Sequence, residues 1–199
     1  MKEKKIGNFS LIVFDDVYDP ADDSFLLSEN LAVKPGDVVL DVGSGTGIIS
    51  LTAIAKGARR VVAIDVSPKA VKNTLINAKR NGCEDKIDVI LGDLLISLKP
   101  PSIFNLIVFN PPYLPAEDPG NWGLAWSGGK TGRKVVERFI IMIRDHMRSS
   151  KTKYQMVLSS LMKPEILLKR LSSFGFKCLI SAKKRFFFEE IYLITFSPH

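Results

Sequence analysis

Four consecutive residues, Asn110-Pro111-Pro112-Tyr113, follow a predicted buried strand and have the types needed to hold a planar nitrogen. The lone pair of an amide or exocyclic NH2 is delocalised, so the nitrogen is a poor nucleophile until geometry favours pyramidalisation. The Asn110 side-chain carbonyl and the Pro111 backbone carbonyl can both accept hydrogen bonds from that NH2. Prolines stiffen the segment without adding an N–H, and Tyr113 can pack on the flat target group. Catalysis would then be positioning and electrostatics; the alternative is a proline-rich turn that ends a strand.

A glycine-rich turn, Asp41-Val-Gly43-Ser-Gly45-Thr-Gly47, lies upstream between a predicted strand and helix. Glycines let the backbone approach a ligand, and the helix N-terminus offers free N–H groups. A dinucleotide turn spaces its glycines G-x-G-x-x-G to hold a pyrophosphate, whereas these fall as G-x-G-x-G behind an acid. Asp41 would repel a pyrophosphate but could hold the ammonium of a cationic cofactor. A tight turn without a ligand needs similar residues, so the turn alone leaves both interpretations open.

Two further acids follow the next two predicted strands. Asp65 ends the second strand, at a spacing from which a carboxylate can bind both ribose hydroxyls, and Asp93 follows the third. Acids at strand ends can also cap the following helix. Together with the glycine turn, they indicate a nucleoside site at one edge of a sheet.

Alternation of strands and helices through the middle of the chain predicts one α/β domain, with a parallel sheet covered on both faces. The predicted strands cover 37–42, 60–66, 86–91, 104–109, 154–159, 176–184 and 190–196, and the helices cover 48–56, 68–80, 134–147 and 164–174. The last two strands should form an antiparallel hairpin, with Phe186-Phe187-Phe188 packed in it. A short N-terminal extension, with a strand near 9–14 and a helix near 21–31, precedes the alternation. A long Gly/Pro loop over 115–132, of a length that usually marks a functional segment, contains Trp122 and Trp126, which could line a cleft or only anchor the loop.

Composition restricts the class of protein. The chain has 199 residues, 46% apolar and 25% charged, as in a globular protein. It has only two cysteines, Cys83 and Cys178, without CxxC or a Cys/His cluster, which argues against a zinc site and a secreted disulfide scaffold. The cytoplasm is therefore the expected location. A net charge of +7 suits an acidic partner such as nucleic acid or a ribonucleoprotein, or simply a solvated surface.

Several segments together resemble one family. Residues 16–27 look like a DVYxPAxDxFLL signature, 41–47 resemble motif I of class I AdoMet-dependent methyltransferases, 110–113 match NPPY, and 126–139 resemble a WxGGxxGxxVxxRF segment. These are the features of HemK/PrmC-type protein-glutamine N5-methyltransferases of release factors, in their short eukaryotic and archaeal branch. The ordered matches extend from Asp16 to Phe139.

The resemblance implies a Rossmann-like class I methyltransferase with a seven-stranded, mostly parallel sheet, formed by a single domain over 1–199. It implies S-adenosyl-L-methionine (AdoMet) as cofactor and, as substrate, the glutamine of the GGQ motif in a class-1 release factor. Residues 1–35 are expected to pack over the cofactor site. Members of the short branch pair with a small zinc-binding activator that adds to the sheet, and 86–91 is the candidate edge.

The resemblance also assigns roles by position. The catalytic residues would be Asn110, Pro111, Pro112 and Tyr113. Asp41 and Gly43 would lie at the methionine part of the cofactor, and Gly45 would also bind the cofactor. Asp65 would lie at the ribose, and Asp93 and Leu94 would flank the adenine. Ser24 would close the pocket, and Asn110 would reach both methyl donor and target. Bacterial members bind release factors through a separate N-terminal helical domain, for which this chain has no room, so substrate docking stays unexplained.

Two alternatives of other kinds remain at this point. An N6-adenine methyltransferase acting on RNA or DNA would use the same NPPY chemistry on an exocyclic NH2 of a flipped or single-stranded base. A non-catalytic nucleotide-binding scaffold subunit would bind cofactor without turnover. No nucleic-acid-binding module accompanies the domain, and a scaffold would not need Asp41, Asp65, Asn110 and both prolines together.

Overall fold

The computed structural model describes residues 1–99, 103–113, 129, 132–146 and 151–199. The regular elements of these residues, numbered here in chain order, are β1 Lys2–Ile6, β2 Phe9–Val13, α1 Asp22–Glu29, β3 Val38–Val42, α2 Ile48–Ala55, β4 Arg60–Asp65, α3 Pro68–Arg80, β5 Ile87–Leu91, β6 Leu106–Phe109, α4 Lys134–His146, β7 Lys153–Ser159, a 3-10 turn Ser160–Met162, α5 Pro164–Ser173, β8 Phe176–Arg185 and β9 Glu190–Pro198.

Seven strands form one sheet in the order β5-β4-β3-β6-β7-β9-β8. All neighbours are parallel except β9, which runs antiparallel to both β7 and β8. The predicted fold class, a mostly parallel sheet with a C-terminal antiparallel hairpin, is confirmed. The strands of the central alternation begin and end within two residues of the predicted bounds.

Two apolar cores cover the two faces of the sheet. One contains Phe109 of β6 together with buried side chains of α4 and α5. The other contains Val39 of β3 together with buried side chains of α1 and α2. Because β3 is buried along its whole length, its residues are all apolar except Asp41 and show no apolar–polar alternation. None of the described helices is both long enough and apolar enough to cross a bilayer.

The N-terminal extension forms a two-stranded antiparallel sheet of its own, in which Ile6 pairs with Phe9. The prediction included β2 but not β1. The sequence of β1, KEKKI, is almost entirely charged and shows no apolar alternation, so only its pairing with β2 makes it a strand. Gly7, with φ of +57°, lies in the tight turn between them.

A ladder of asparagines on α3 anchors this extension. The side-chain carbonyls of Asn73, Asn77 and Asn81 accept the backbone N–H groups of Phe14, Ile12 and Ser10, at 3.0, 2.8 and 3.0 Å. Their NH2 groups donate back to the carbonyls of Ile12 and Ser10. Four residues of helix rise about 6.0 Å and two residues of strand about 6.6 Å, so the two repeats match.

One packing prediction is wrong. Phe187 and Phe188 are 94% and 87% exposed, although Phe186 packs against the core. The Phe186 N–H donates to the Glu189 carbonyl in the turn between β8 and β9, so the two intervening rings project beyond the strands. They contact each other edge-to-face, with ring centroids 4.7 Å apart.

Candidate active site

The carboxyl ends of three neighbouring strands place three of the predicted site residues side by side. Val42 of β3 is in register with Ile64 of β4 and with Phe109 of β6. The next residues along the three strands are Gly43, Asp65 and Asn110. The strand order reverses between β3 and β6, and the crevice at such a switch point is where open α/β sheets bind ligands.

The glycine turn is tied to Asp65. Gly45 donates its N–H to Asp65 Oδ2 at 2.9 Å, and Ser67 donates its N–H to Asp65 Oδ1 at 2.9 Å. Burial raises the pKa of this carboxyl, while the backbone donors oppose the rise. Each carboxylate oxygen has a second lone pair, so Asp65 can still accept hydroxyl donors such as those of a ribose.

Backbone conformation keeps the turn open. Gly43 and Gly45 have φ of +69° and +56°, which side-chain-bearing residues rarely adopt. No heavy atom lies within 4 Å of a Cβ built on Gly45, whereas one on Gly43 would lie 3.5 Å from the Phe109 ring. A ligand can therefore approach the backbone at Gly45.

Asp41 lies beneath this turn and is fully buried. Its Oδ2 accepts the Ser50 hydroxyl at 2.6 Å. Burial raises the pKa of Asp41 to about 7, with repulsion from Asp65 adding to the rise and the Ser50 hydrogen bonds opposing it. The carboxyl therefore changes charge near neutral pH.

Asp93 and Leu94 lie at the end of β5. Asp93 accepts a hydrogen bond from the Arg138 guanidinium of α4 at 2.7 Å. Leu94 is buried with φ of +50°, a conformation that is strained for a residue with a side chain. Such strained conformations are concentrated at functional sites. The place of Asp93 and Leu94 beside the adenine stays a prediction.

The NPPY segment follows β6, and one of its polar side-chain atoms has no hydrogen-bond partner among the described residues. Asn110 Nδ2 donates to Asp23 Oδ2 at 3.2 Å and lies 3.4 Å from Ser24 Oγ. Asn110 Oδ1 is buried and has no hydrogen-bond partner in the part of the chain that the structure describes. A buried carbonyl without a donor is costly, so this oxygen is the natural place for a ligand N–H. Pro111 is buried, and Pro112 and Tyr113 are half-buried beside it.

Asp23 at the N-terminus of α1 was not predicted as a site residue. It is 3% exposed, and it accepts hydrogen bonds from five donor groups: the hydroxyls of Tyr18 and Tyr113, the Ser24 N–H and hydroxyl, and Asn110 Nδ2. Burial, followed by the Asp23 charge, raises the pKa of both phenols, so they remain donors. The 16–27 segment contained Asp23, but nothing local indicated its contacts.

Some predicted features lie outside the described residues. Trp122, Trp126 and most of the 115–132 loop fall there. Of the 126–139 segment, Arg133 donates to the Met162 carbonyl at 3.0 Å, and Gly132 approaches Tyr113 so closely that a Cβ on it would lie 2.4 Å from the Tyr113 carbonyl oxygen.

These features suit AdoMet. Three features lie together at the switch point of a Rossmann-like sheet. They are the open glycine turn, the two acids Asp41 and Asp65, and Asn110 Oδ1, which has no hydrogen-bond donor among the described residues. Such a sheet and site define a class I AdoMet-dependent methyltransferase.

Known proteins place the chain more narrowly. It is 36% identical over 195 residues to the protein N5-glutamine methyltransferase MJ0928 of Methanocaldococcus jannaschii, covering 96% of each chain. It is 32% identical over 182 residues to the methyltransferase HEMK2 of Homo sapiens, covering 85% of this chain and 84% of HEMK2. The E. cuniculi Mtq2 structure, from a Mtq2-Trm112 complex responsible for methylation of the eRF1 translation termination factor, superposes with a TM-score of 0.74 at 26% identity, covering 92% of this chain and 99% of that one.

The chain therefore belongs to the protein N5-glutamine methyltransferase family, in the short branch of the HemK type, and is an AdoMet-dependent enzyme. Residues 24–110 also match the family model of ribosomal protein L11 methyltransferase (PrmA). That match covers the glycine turn and both strand-end acids but stops at Asn110. The matched segment therefore contains the residues predicted to bind the cofactor but only the first residue of the NPPY segment.

Proposed function

We propose that the enzyme transfers the methyl group of AdoMet to the side-chain amide nitrogen of the glutamine in the GGQ motif of a class-1 release factor. The observation that carries this proposal is the buried Asn110 Oδ1, which has no donor among the described residues and follows β6 at the switch point. A glutamine NH2 would supply that donor.

The acceptor residues work by positioning. Asn110 Oδ1 and the Pro111 carbonyl would each accept one N–H of the target amide and thereby fix the plane of its NH2 group. Tyr113 packs over the flat amide. When bound, AdoMet supplies an electrophilic methyl group on a sulfonium. The nitrogen can lose its proton after transfer, so no general base is required beforehand.

The cofactor would be held by residues that stay predictions. Asp41, Gly43 and Gly45 are proposed to bind the methionine part, Asp65 the ribose, and Asp93 with Leu94 the adenine. Ser24 and Asn110 would close the site at the methyl end, since Asn110 Nδ2 lies 3.4 Å from Ser24 Oγ. We also propose that residues 1–35 pack over the bound cofactor as part of a single domain.

A small zinc-binding activator, equivalent to Trm112 in the E. cuniculi complex, is proposed to add to the β5 edge, residues 86–91. Alternate residues of a strand direct their N–H groups to opposite sides. The Lys86 carbonyl and the Gly92 N–H bond to β4, so the Val89 N–H faces away from the sheet. Exposed Val66 and Leu91 at the end of this edge offer apolar contact area.

The opposite edge is poorly suited to a partner. β8 has a register irregularity between Ile180 and Ala182, and exposed basic side chains including Lys177 and Lys183. Bulges and lysines are the usual protection of a free edge. β5 has neither a bulge nor a lysine within its five residues, which favours it as the docking edge.

The test is methyl transfer from labelled AdoMet to a class-1 release factor, run with and without the activator and compared with a factor whose GGQ glutamine is replaced by alanine. Label on the intact factor that is lost with the glutamine is expected. Label on tRNA or DNA instead would support an adenine methyltransferase, and bound AdoMet without turnover in every arm would support a scaffold. We propose the cytoplasm, where release factors act, as the location.

A further inference from the structure

We propose that Asp23 is a positioning residue that sets the amide orientation of Asn110, so that Asn110 Oδ1 rather than Nδ2 faces the acceptor. This inference rests on the proposed function and extends it to a residue outside the NPPY segment. Asp23 and Asn110 are 87 positions apart in the chain, and the fold brings them within hydrogen-bond distance.

Chemistry distinguishes the two orientations of Asn110. A carboxylate only accepts hydrogen bonds, so the group turned toward Asp23 must be the NH2 of Asn110. In the opposite orientation, two oxygens would face each other in a buried place, while the NH2 of Asn110 would face the NH2 of the acceptor. Only the observed orientation leaves an acceptor oxygen available for a substrate amide.

Asp23 is held in turn by its other donors. The Tyr18 hydroxyl lies 3.0 and 3.1 Å from the two carboxylate oxygens, and the Ser24 N–H lies 2.6 Å from Oδ1. The Tyr113 hydroxyl lies 3.4 Å from Oδ2, the same oxygen that binds Asn110. One carboxylate thus connects both side chains at the two ends of the NPPY segment.

The neighbouring acid offers a matched control. Asp22 is on the same helix one residue away, but its side chain is 50% exposed and paired with Lys184. Asp22→Asn removes the same charge without touching Asn110.

Kinetics provide the first measurement. Asp23→Asn, measured on the release factor with the activator present, should lower kcat by about 100-fold, the scale of a misplaced electrostatic contact in an active site. The KM for the release factor should change by less than about threefold, because most of the protein–protein contact is unaffected. Asp22→Asn should keep wild-type kcat. An equal kcat in Asp23→Asn and wild type would overturn the proposal.

NMR of the Asn110 side chain provides a second measurement that needs no turnover. The resonance pair is assigned as the one missing from Asn110→Ala. In the wild type, the two NH2 protons of Asn110 should exchange slowly with solvent. Asp23→Asn should change their chemical shifts and accelerate their exchange with solvent by about tenfold or more. An unchanged pair would overturn the proposal, whereas failure of the release factor as a substrate would not affect this measurement.

A milder variant covers the case in which Asp23→Asn does not fold. Tyr18→Phe removes the hydroxyl that donates to the Asp23 carboxylate and leaves Asp23 itself unchanged. It should accelerate exchange of the Asn110 NH2 and lower kcat by less than Asp23→Asn. Wild-type exchange and wild-type kcat in Tyr18→Phe would count against an orienting carboxylate.

Discussion

Two single residues beside the switch point, Asn110 and Asp41, have buried polar groups with unusual surroundings. Asn110 Oδ1 is sealed from solvent without a partner among the described residues, and Asp41 is a fully buried acid. Each group is costly in the folded protein unless a ligand or a proton compensates it. Predictions at this scale therefore concern turnover and proton uptake.

Asn110→Ala should lower kcat by about 100- to 1000-fold, because it removes an acceptor aimed at the reacting amide. AdoMet affinity should change by less than about threefold, since the glycine turn and strand-end acids remain. Methyl transfer and calorimetric AdoMet binding measure the two effects. The control is Asn105→Ala, just before the other end of β6, where the side-chain carbonyl accepts the Val38 N–H. A near-normal rate in Asn110→Ala would remove Asn110 from the acceptor site.

Asp41 should make the cofactor-free enzyme progressively less stable as the pH rises from about 4 to about 7. Burial raises the pKa of Asp41 from its ordinary 3.8 to about 7 in the folded state. The folded protein therefore binds more protons than the unfolded chain in this window, and stability falls as the pH rises through it. Unfolding temperatures from pH 5 to 8 should show this slope reduced in Asp41→Asn and retained in the surface control Asp85→Asn.

AdoMet affinity should have the opposite pH dependence. If Asp41 holds the ammonium of the cofactor, only its ionised form binds well. The Kd should then rise by up to about tenfold per pH unit below 7. Titrations at pH 6 and 8 measure this ratio in wild type and in Asp41→Asn. An equal ratio in both proteins would show that Asp41 does not contact the ammonium.

Among the elements, helix α3 connects the N-terminal extension with the glycine turn through side-chain hydrogen bonds. Asn77 is fully buried, accepts the Ile12 N–H, and donates to the carbonyls of Ile12 and Thr46. Thr46 belongs to the glycine turn. The ladder therefore couples β2 to the loop that would hold the cofactor, and its loss should affect both.

Asn77→Ala should cost about 2–3 kcal/mol of unfolding free energy, because buried backbone groups lose their partners. Asn81→Ala should cost about 1 kcal/mol or less, since Asn81 is partly exposed and water can replace its side chain. Denaturant unfolding gives both values. Hydrogen exchange of the Ile12 backbone N–H should be faster in Asn77→Ala than in Asn81→Ala. Equal rates would contradict the larger stabilising contribution assigned to Asn77.

The sheet as a whole has two edges, and their difference sets how the molecule can associate. β8 is long, basic and irregular, whereas β5 has five residues and ends beside exposed apolar side chains. An activator strand that pairs with β5 would have one end next to Asp93, which follows β5 at the carboxyl ends of the strands. Its binding should therefore support the end of the cofactor site that holds the adenine.

Val89→Pro tests this edge. It removes an outward N–H but no hydrogen bond to β4, and proline is tolerated in edge strands. The variant should lose co-purification with the activator while the unfolding free energy of the free enzyme changes by about 1 kcal/mol or less. Val89→Thr, which keeps the N–H, should still bind. Undiminished binding of Val89→Pro would place the activator elsewhere.

Sequence alone determined the order of strands and helices, the acids and glycines at the strand ends, and the NPPY segment. Parallel strands share one carboxyl edge, so local patterns sufficed to bring Gly43, Asp65 and Asn110 together. Tertiary structure decided the role of Asp23, the pairing of β1, the exposure of Phe187 and the hydrogen bonding of the asparagine ladder. These features depend on contacts between segments far apart in the chain, such as Asp23 and Asn110, which are 87 positions apart. No local periodicity encodes such contacts.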